Sequence, residues 1–102
     1  MKIVAITACP TGIAHTYMAA ARLEQVAKEM GHEIKVETQG AMGIENALSA
    51  GDIREARVAL FAVDIQVEGR DRFAGKKIVE VSLKEVLKNT QEVFKKLDGA
   101  SS

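Results

Sequence analysis

The unbroken apolar run Val58-Ala59-Leu60-Phe61-Ala62-Val63 is the feature that most restricts the fold. It shows no alternation, so neither face of a strand built from it can stand in water; such strands are central and covered on both sides. Lys2–Ala8, with Ile3-Val4-Ala5-Ile6 inside it, has the same character and is closed by Cys9-Pro10. The residue before a proline is pushed towards extended geometry, so Cys9 ends that strand. Two further strands are predicted at 34–38, where Ile34 and Val36 alternate with polar residues, and at 77–81, where Ile78, Val79 and Val81 cluster.

Helical spacing separates these strands. From His15 to Met30 the residues Ala19, Leu23, Val26, Ala27 and Met30 recur on one face, and Gly31 follows as a C′ residue. Gly40-Ala41-Met42-Gly43 reads as a flexible loop, and Ile44, Ala47 and Leu48 as a short helix closed near Gly51. Asp52-Ile53-Arg54-Glu55 fits a capping box with Asp52 as N-cap, and Ser82-Leu83-Lys84-Glu85 fits a second. The segment 64–75 reads as a loop or distorted turn anchored by Phe73, its charge run Glu68-Gly69-Arg70-Asp71-Arg72 solvated. One last helix carries Leu83, Val86, Leu87, Val93, Phe94 and Leu97. Alternating strands and helices imply an α/β fold. The expected architecture is a doubly wound three-layer sandwich on a four-stranded parallel sheet of order 2-1-3-4. One domain is expected over 1–98, with 99–102 a disordered tail or linker stub.

Composition narrows the partners. Lys plus Arg and Asp plus Glu both number 14, so no basic surface calls for nucleic acid. No apolar run approaches the ~20 residues of a membrane helix. A lone cysteine suits a reducing compartment, and the cytoplasm is expected.

Chemistry concentrates in Cys9-Pro10-Thr11-Gly12-Ile13-Ala14-His15-Thr16, between the first strand and the first helix. In a doubly wound sheet, ligands bind beyond the carboxyl ends of the strands, at the switch point beside strand one. A thiol there meets unpaired N–H groups of a helix N-terminus, which favour the thiolate and cradle an anion such as phosphate. Pro10 has no N–H, so the donors run from Thr11 through Gly12, Ile13, Ala14, His15 and Thr16. Gly12 allows close approach of an oxygen, and Thr11 and Thr16 offer either hydroxyl donors or helix caps.

Cysteine phosphatases place an arginine after five intervening residues and then Ser or Thr. This chain has His15 and then Thr16 at those positions, a phosphate cradle without its bidentate cation. That favours a site that holds a phosphoryl group over one that hydrolyses it; a small cysteine phosphatase and a phosphate-sensing module are the competing classes. Neither a nucleotide-binding Gly-Lys-Ser/Thr loop nor a two-cysteine redox motif is present, and His15, His32 and Cys9 make no plausible metal set. No cofactor is expected. Asp64, ending the third strand, faces the same edge as Cys9, as a support for the loop or a turn residue. For His15, loop positioning is favoured over direct chemistry. Tyr17 reads as packing and His32 as solvent-exposed. Met18, Met30 and Met42 suit core gaps or an adaptable surface.

The string Thr7-Ala8-Cys9-Pro10-Thr11-Gly12-Ile13-Ala14-His15-Thr16 resembles the active-site loop of fructose-family IIB components of the bacterial sugar phosphotransferase system (PTS). The resemblance continues through Met18-Ala19-Ala20, residues 31–40, Gly43-Ile44-Glu45-Asn46 and Arg72-Phe73-Ala74-Gly75-Lys76. Tyr17 stands where that family often has phenylalanine. The resemblance implies a phosphotransferase in which Cys9 becomes phosphocysteine. It would take phosphate from a phosphohistidine of a IIA partner and pass it to fructose or a related hexose held by the membrane IIC component. It further implies a cytoplasmic location, peripheral to that permease.

Overall fold

The computed structural model describes residues 1–10 and 14–101. The chain order is β1 (Lys2–Ala8), α1 (Ala14–Glu29), β2 (Glu33–Gly40), β3 (Gly43–Glu45), α2 (Ala50–Glu55), β4 (Val58–Val63), a 3-10 turn (Arg70–Phe73), β5 (Ile78–Val81), α3 (Leu83–Lys88) and α4 (Thr90–Ser101). The expected four-stranded parallel sheet is corrected to a mixed five-stranded one of order β3-β2-β1-β4-β5. The β2/β1, β1/β4 and β4/β5 pairs are parallel, while β3 pairs antiparallel with β2.

β3 and its turn occupy the segment read from sequence as a loop and a helix. β2 continues past Thr38 to Gly40, the chain turns through Ala41-Met42, and Gly40 pairs with Gly43. Gly43 has φ 86°, a left-handed value that favours glycine. The Ile44 and Ala47 spacing suggested a helix, but a two-residue turn held by glycines makes a hairpin instead. α2 therefore starts later, at Ala50, and its capping box is set one turn earlier than expected. Ser49 Oγ accepts from Asp52 N at 3.0 Å, and Asp52 Oδ2 accepts from Ser49 N at 2.9 Å.

Period-two alternation along the central strands sorts two cores. Ile3 and Ala5 of β1 with Val58, Leu60 and Ala62 of β4 pack against Leu23, Val26 and Ala27 of α1, Val86 of α3, and Phe94 and Leu97 of α4. On the opposite face Val4, Ile6, Ala59 and Phe61 pack against Leu48, Ile53, Val67 and Phe73. Phe73, the expected anchor of the 64–75 segment, meets Phe61 edge-on with centroids 4.9 Å apart. α1 ends as its sequence predicts: Gly31 at φ 77° closes the helix, with His32 N donating to Ala27 O and Gly31 N to Lys28 O.

The single last helix divides at Asn89 (φ −135°, ψ 55°) into α3 and α4, and both halves keep their apolar side chains on the same core. Residues 99–101, expected as a tail, form the end of α4; Ser102 lies outside the described residues. His32 is half-buried rather than exposed. It stacks on Phe94 with centroids 5.9 Å apart, its Nδ1 3.0 Å from the N-terminal ammonium.

Candidate functional site

The site lies where β1 and β4 end side by side. Asp64 N donates to Ala8 O at 3.0 Å, carrying the strand pairing one residue beyond β4. Thr7 Oγ1 donates to the carbonyl of Thr16 at 3.1 Å, tying the end of β1 to the first turn of α1. This bond spans the loop that contains Cys9, so both ends of the loop are fixed to each other. On the third side, Asp64 Oδ1 accepts from Leu83 N at 3.3 Å, and Ser82 Oγ accepts from Glu85 N at 3.1 Å. The first contact holds the start of α3 against the end of β4, and the second caps the helix.

The three elements enclose a groove of about 350 Å³. Cys9, His15 and Asp64, all singled out from sequence, line it together; Leu83, Lys84, Leu87 and Lys88 of α3 form its other wall. Cys9 itself is 7% exposed, a recessed thiol reached through the groove. Its position on the α1/α3/α4 side follows from the alternation Ile3, Ala5, Cys9 on one face of β1. Ala14 and His15 are exposed at the start of α1. Thr16 is fully buried, and its Oγ1 has no partner among the described residues, as is also true of Thr38 Oγ1. Thr11, Gly12 and Ile13, the centre of the expected phosphate loop, lie outside the described residues. Among the described residues no three His, Cys, Asp or Glu side chains are grouped as metal ligands.

Sequence reading missed two sets of charged residues. The first is Lys84 and Lys88. Their signal was present: a Ser82 cap at the carboxyl end of a parallel strand starts a helix at the edge that carries Cys9, and i,i+4 spacing puts both lysines on one face.

The second is a buried ion pair behind the sheet. Arg72, read as part of a solvated charge run, grips Glu37 with both terminal nitrogens, Nη1 to Oε1 and Nη2 to Oε2 at 2.9 Å each. Gln39 Nε2 and Leu48 N complete the carboxylate's partners at 2.7 and 2.9 Å. Burial pushes the Glu37 carboxyl up, but the Arg72, Gln39 and Leu48 hydrogen bonds outweigh it, and the net shift is downward. Gln39 also exchanges two hydrogen bonds with the backbone of Glu68. The segment that begins at Asp64 is thereby fastened to β2. Glu37 lies on the opposite face of β2 from Val36, where Leu48 before α2 and Arg72 of the 3-10 turn meet its carboxylate.

Tyr17 donates its hydroxyl to Glu45 of β3, which raises the phenol's pKa, and so links α1 to the hairpin. Met18, Met30 and Met42 are all surface residues, 54, 42 and 78% exposed. No helix among the described residues is long and apolar enough to cross a membrane.

The family described as "PTS system, Lactose/Cellobiose specific IIB subunit" matches residues 4–96. The "PTS system fructose-like EIIB component 2" of Escherichia coli K12 is 47% identical over 97 residues, covering 95% of this chain and 92% of that protein. The "Fructose-like PTS system EIIBC component" of the same organism is 50% identical over 99 residues, covering 95% of this chain but 20% of that longer protein. Among solved structures, a predicted fructose-specific IIB from Escherichia coli superposes with a TM-score of 0.94 at 43% identity, covering 98% of this chain and 88% of that one. The family description and the relatives name different sugars, but all name a IIB unit. The chain belongs to the IIB family of the sugar phosphotransferase system, in its fructose-like branch.

Proposed function

We propose that this chain is a phosphocysteine carrier, with Cys9 accepting a phosphoryl group from a phosphohistidine of a IIA partner and passing it to a sugar at a membrane IIC partner. In the first step the Cys9 thiolate attacks phosphorus, an S–P bond forms, and the N–P bond breaks with its electron pair returning to the imidazole nitrogen. In the second, a sugar hydroxyl oxygen attacks phosphorus, the O–P bond forms, and sulfur leaves as thiolate while the hydroxyl proton passes to a base. The chain itself supplies the nucleophile and its surroundings. Amides of the loop and of the start of α1, from Thr11 to Thr16, would hold the phosphoryl oxygens. His15 would position the loop, and Asp64 would keep the adjoining strand end and α3 in place.

The observation that carries this reading is the placement of Cys9. It stands at the carboxyl end of β1, before a helix N-terminus, in a groove that also takes His15 and Asp64. A thiol only 7% exposed suits a carrier, since stray water has poor access while a partner's group can enter along the groove. The fructose-like names of the relatives favour fructose or a related hexose, and the fused EIIBC relative favours a IIC partner. We place the carrier at the cytoplasmic face, peripheral to the permease, with residues 1–98 as its working domain.

Intact-mass measurement after incubation with phosphoenolpyruvate, the general phosphotransferase proteins and IIA tests the proposal. The expected gain is one phosphate, absent in Cys9→Ala and lost on adding sugar with IIC-containing membranes. A wild-type chain that never gains mass refutes it. Sustained release of inorganic phosphate from an aryl phosphate would point instead to a phosphatase.

A further inference from the structure

We propose that Lys84 and Lys88 form an anion subsite of the Cys9 groove that balances the charge of the phosphoryl group while it resides on sulfur; this rests on the carrier reading above. The loop carries His15 where a cysteine phosphatase carries arginine, so the loop alone offers no permanent cation. The opposite wall supplies two. Lys84 and Lys88 are one helical turn apart on α3 and line the same groove as Cys9. Both are exposed, and neither forms an ion pair with any described residue.

The helix that carries them is held firmly. Leu83 and Val86 are buried, Leu83 N is bonded to Asp64, and Ser82 caps the first turn. Among the described residues, the titratable or charged groups lining the groove are Cys9 after β1, His15 from α1, Asp64 after β4, and the two lysines from α3. Two ammonium groups outnumber the one carboxylate, which leaves a cation for the Cys9 thiolate and for the phosphoryl group that replaces its charge. A phosphoryl group brings a charge of about −1.5 to −2; the two lysines, one of them offset by Asp64, neutralise about half of it, and the loop amides take up the rest. Leu83 and Leu87 line the groove beside them as its apolar part.

The choice of lysine has a mechanistic consequence. A guanidinium fork would fix the phosphoryl oxygens in one geometry, whereas ammonium groups on long stems act as point charges that follow the group. Phosphate must enter Cys9 from one partner and leave to another, and a compliant field serves both steps. The lysines make and break no bonds in the transfer.

The test reads the local potential at Cys9 directly. Alkylation of the intact chain by anionic iodoacetate is compared with that by neutral iodoacetamide at low ionic strength; the ratio of the two rates cancels the thiolate fraction. Replacing both residues (Lys84→Gln with Lys88→Gln) should lower that ratio roughly three- to tenfold, as two exposed charges near a reacting centre would. The pair Lys84→Arg with Lys88→Arg should restore it, and Lys95→Gln, which alters a lysine paired with Glu92 on α4, should leave it unchanged. The double Gln variant should also accept phosphate from phosphorylated IIA more slowly by a similar factor. An unchanged alkylation ratio overturns the proposal. If phosphate transfer slows while the ratio stays constant, the lysines serve docking of the donor protein, and the anion subsite is again overturned. A wild-type chain that takes no phosphate would refute the carrier reading alone, since the alkylation ratio still decides whether the subsite exists.

Discussion

Replacing Arg72 with alanine should be among the most damaging single changes outside the apolar core. Glu37 is wholly buried, and Arg72 supplies two of its four hydrogen bonds. Removing one partner of a buried pair leaves an uncompensated charge, which typically destabilises by 3–5 kcal/mol. The Arg72 side chain is 28% exposed, so water reaches part of the site and the lower end applies, about 3 kcal/mol at pH 7. With a urea m-value of roughly 1.5 kcal/mol/M for a chain of this size, the unfolding midpoint should fall by about 2 M.

The pH dependence gives a sharper check. In the wild type the Glu37 pKa is lowered in the folded state, so its contribution is present above the ordinary value of 4.5 and is lost as pH falls through the folded value. Without Arg72, burial dominates and raises that pKa above 4.5; folding then favours the protonated acid. The variant's deficit should therefore be largest at pH 7 and shrink towards pH 4. Changing Glu37 to Gln in the Arg72→Ala background should recover part of the loss, because the buried charge is gone. A deficit below about 1 kcal/mol, or one equal at pH 7 and pH 4, would refute the reasoning.

Gly69→Ala should destabilise by about 1–3 kcal/mol in urea unfolding, since Gly69 has φ 73° and an added Cβ would sit 2.6 Å from Arg72 Nε. Only the clash involves Arg72, so in the Arg72→Ala background Gly69→Ala should keep the cost of the positive φ and lose the remainder, as a double-mutant cycle would show. Phe94→Ala should cost about 3–5 kcal/mol and also release His32, visible as a change in the ring-proton chemical shifts of the histidine. The Asp52 carboxyl, held down to about 2 by Lys35 and by the Ser49 cap, contributes stability above its unfolded pKa that is lost as pH falls through the folded value. Asp52→Asn should flatten that acid limb of the stability curve. Thr7→Val should cost about 1 kcal/mol in stability yet slow phosphoryl acceptance at Cys9 by a larger factor, because it severs the bond across the loop.

The central layer was legible because its signals are unambiguous. Neither the run at Val58–Val63 nor that at Lys2–Ala8 alternates, and both became inner strands of the sheet. The edge was harder. β3 is three residues long and fully exposed, so burial leaves no mark on its sequence; only the Gly40 to Gly43 spacing betrays a tight turn, and that pattern is equally common in open loops. The α3/α4 break was hidden for the opposite reason. Val86 and Val93 face one core across the interruption, so the apolar period persists although the helix does not.

The site divides along the same line. Cys9 and Asp64 could be placed because each ends an inner strand, and the rule that ligands gather at those ends needs only strand order. What surrounds Cys9 depends on distant segments: a helix more than seventy residues later supplies the opposite wall of its groove. The same holds for Glu37 and Arg72, whose charges in isolation read as solvent-facing. A charged residue is assigned to water by default, and only a partner supplied by the tertiary fold reverses the assignment. Here that reversal also serves the site. Glu37, Gln39 and Arg72 fasten the segment leading away from Asp64, and Asp64 holds the start of α3. The wall that faces Cys9 is thus steadied from the opposite side of the sheet. Loosening Arg72 should therefore weaken phosphate acceptance at Cys9 in any fraction of the variant that remains folded. Transfer assays at low temperature, where the folded fraction is measured by circular dichroism, separate that effect from global unfolding; unchanged transfer per folded molecule would show that the two faces act independently.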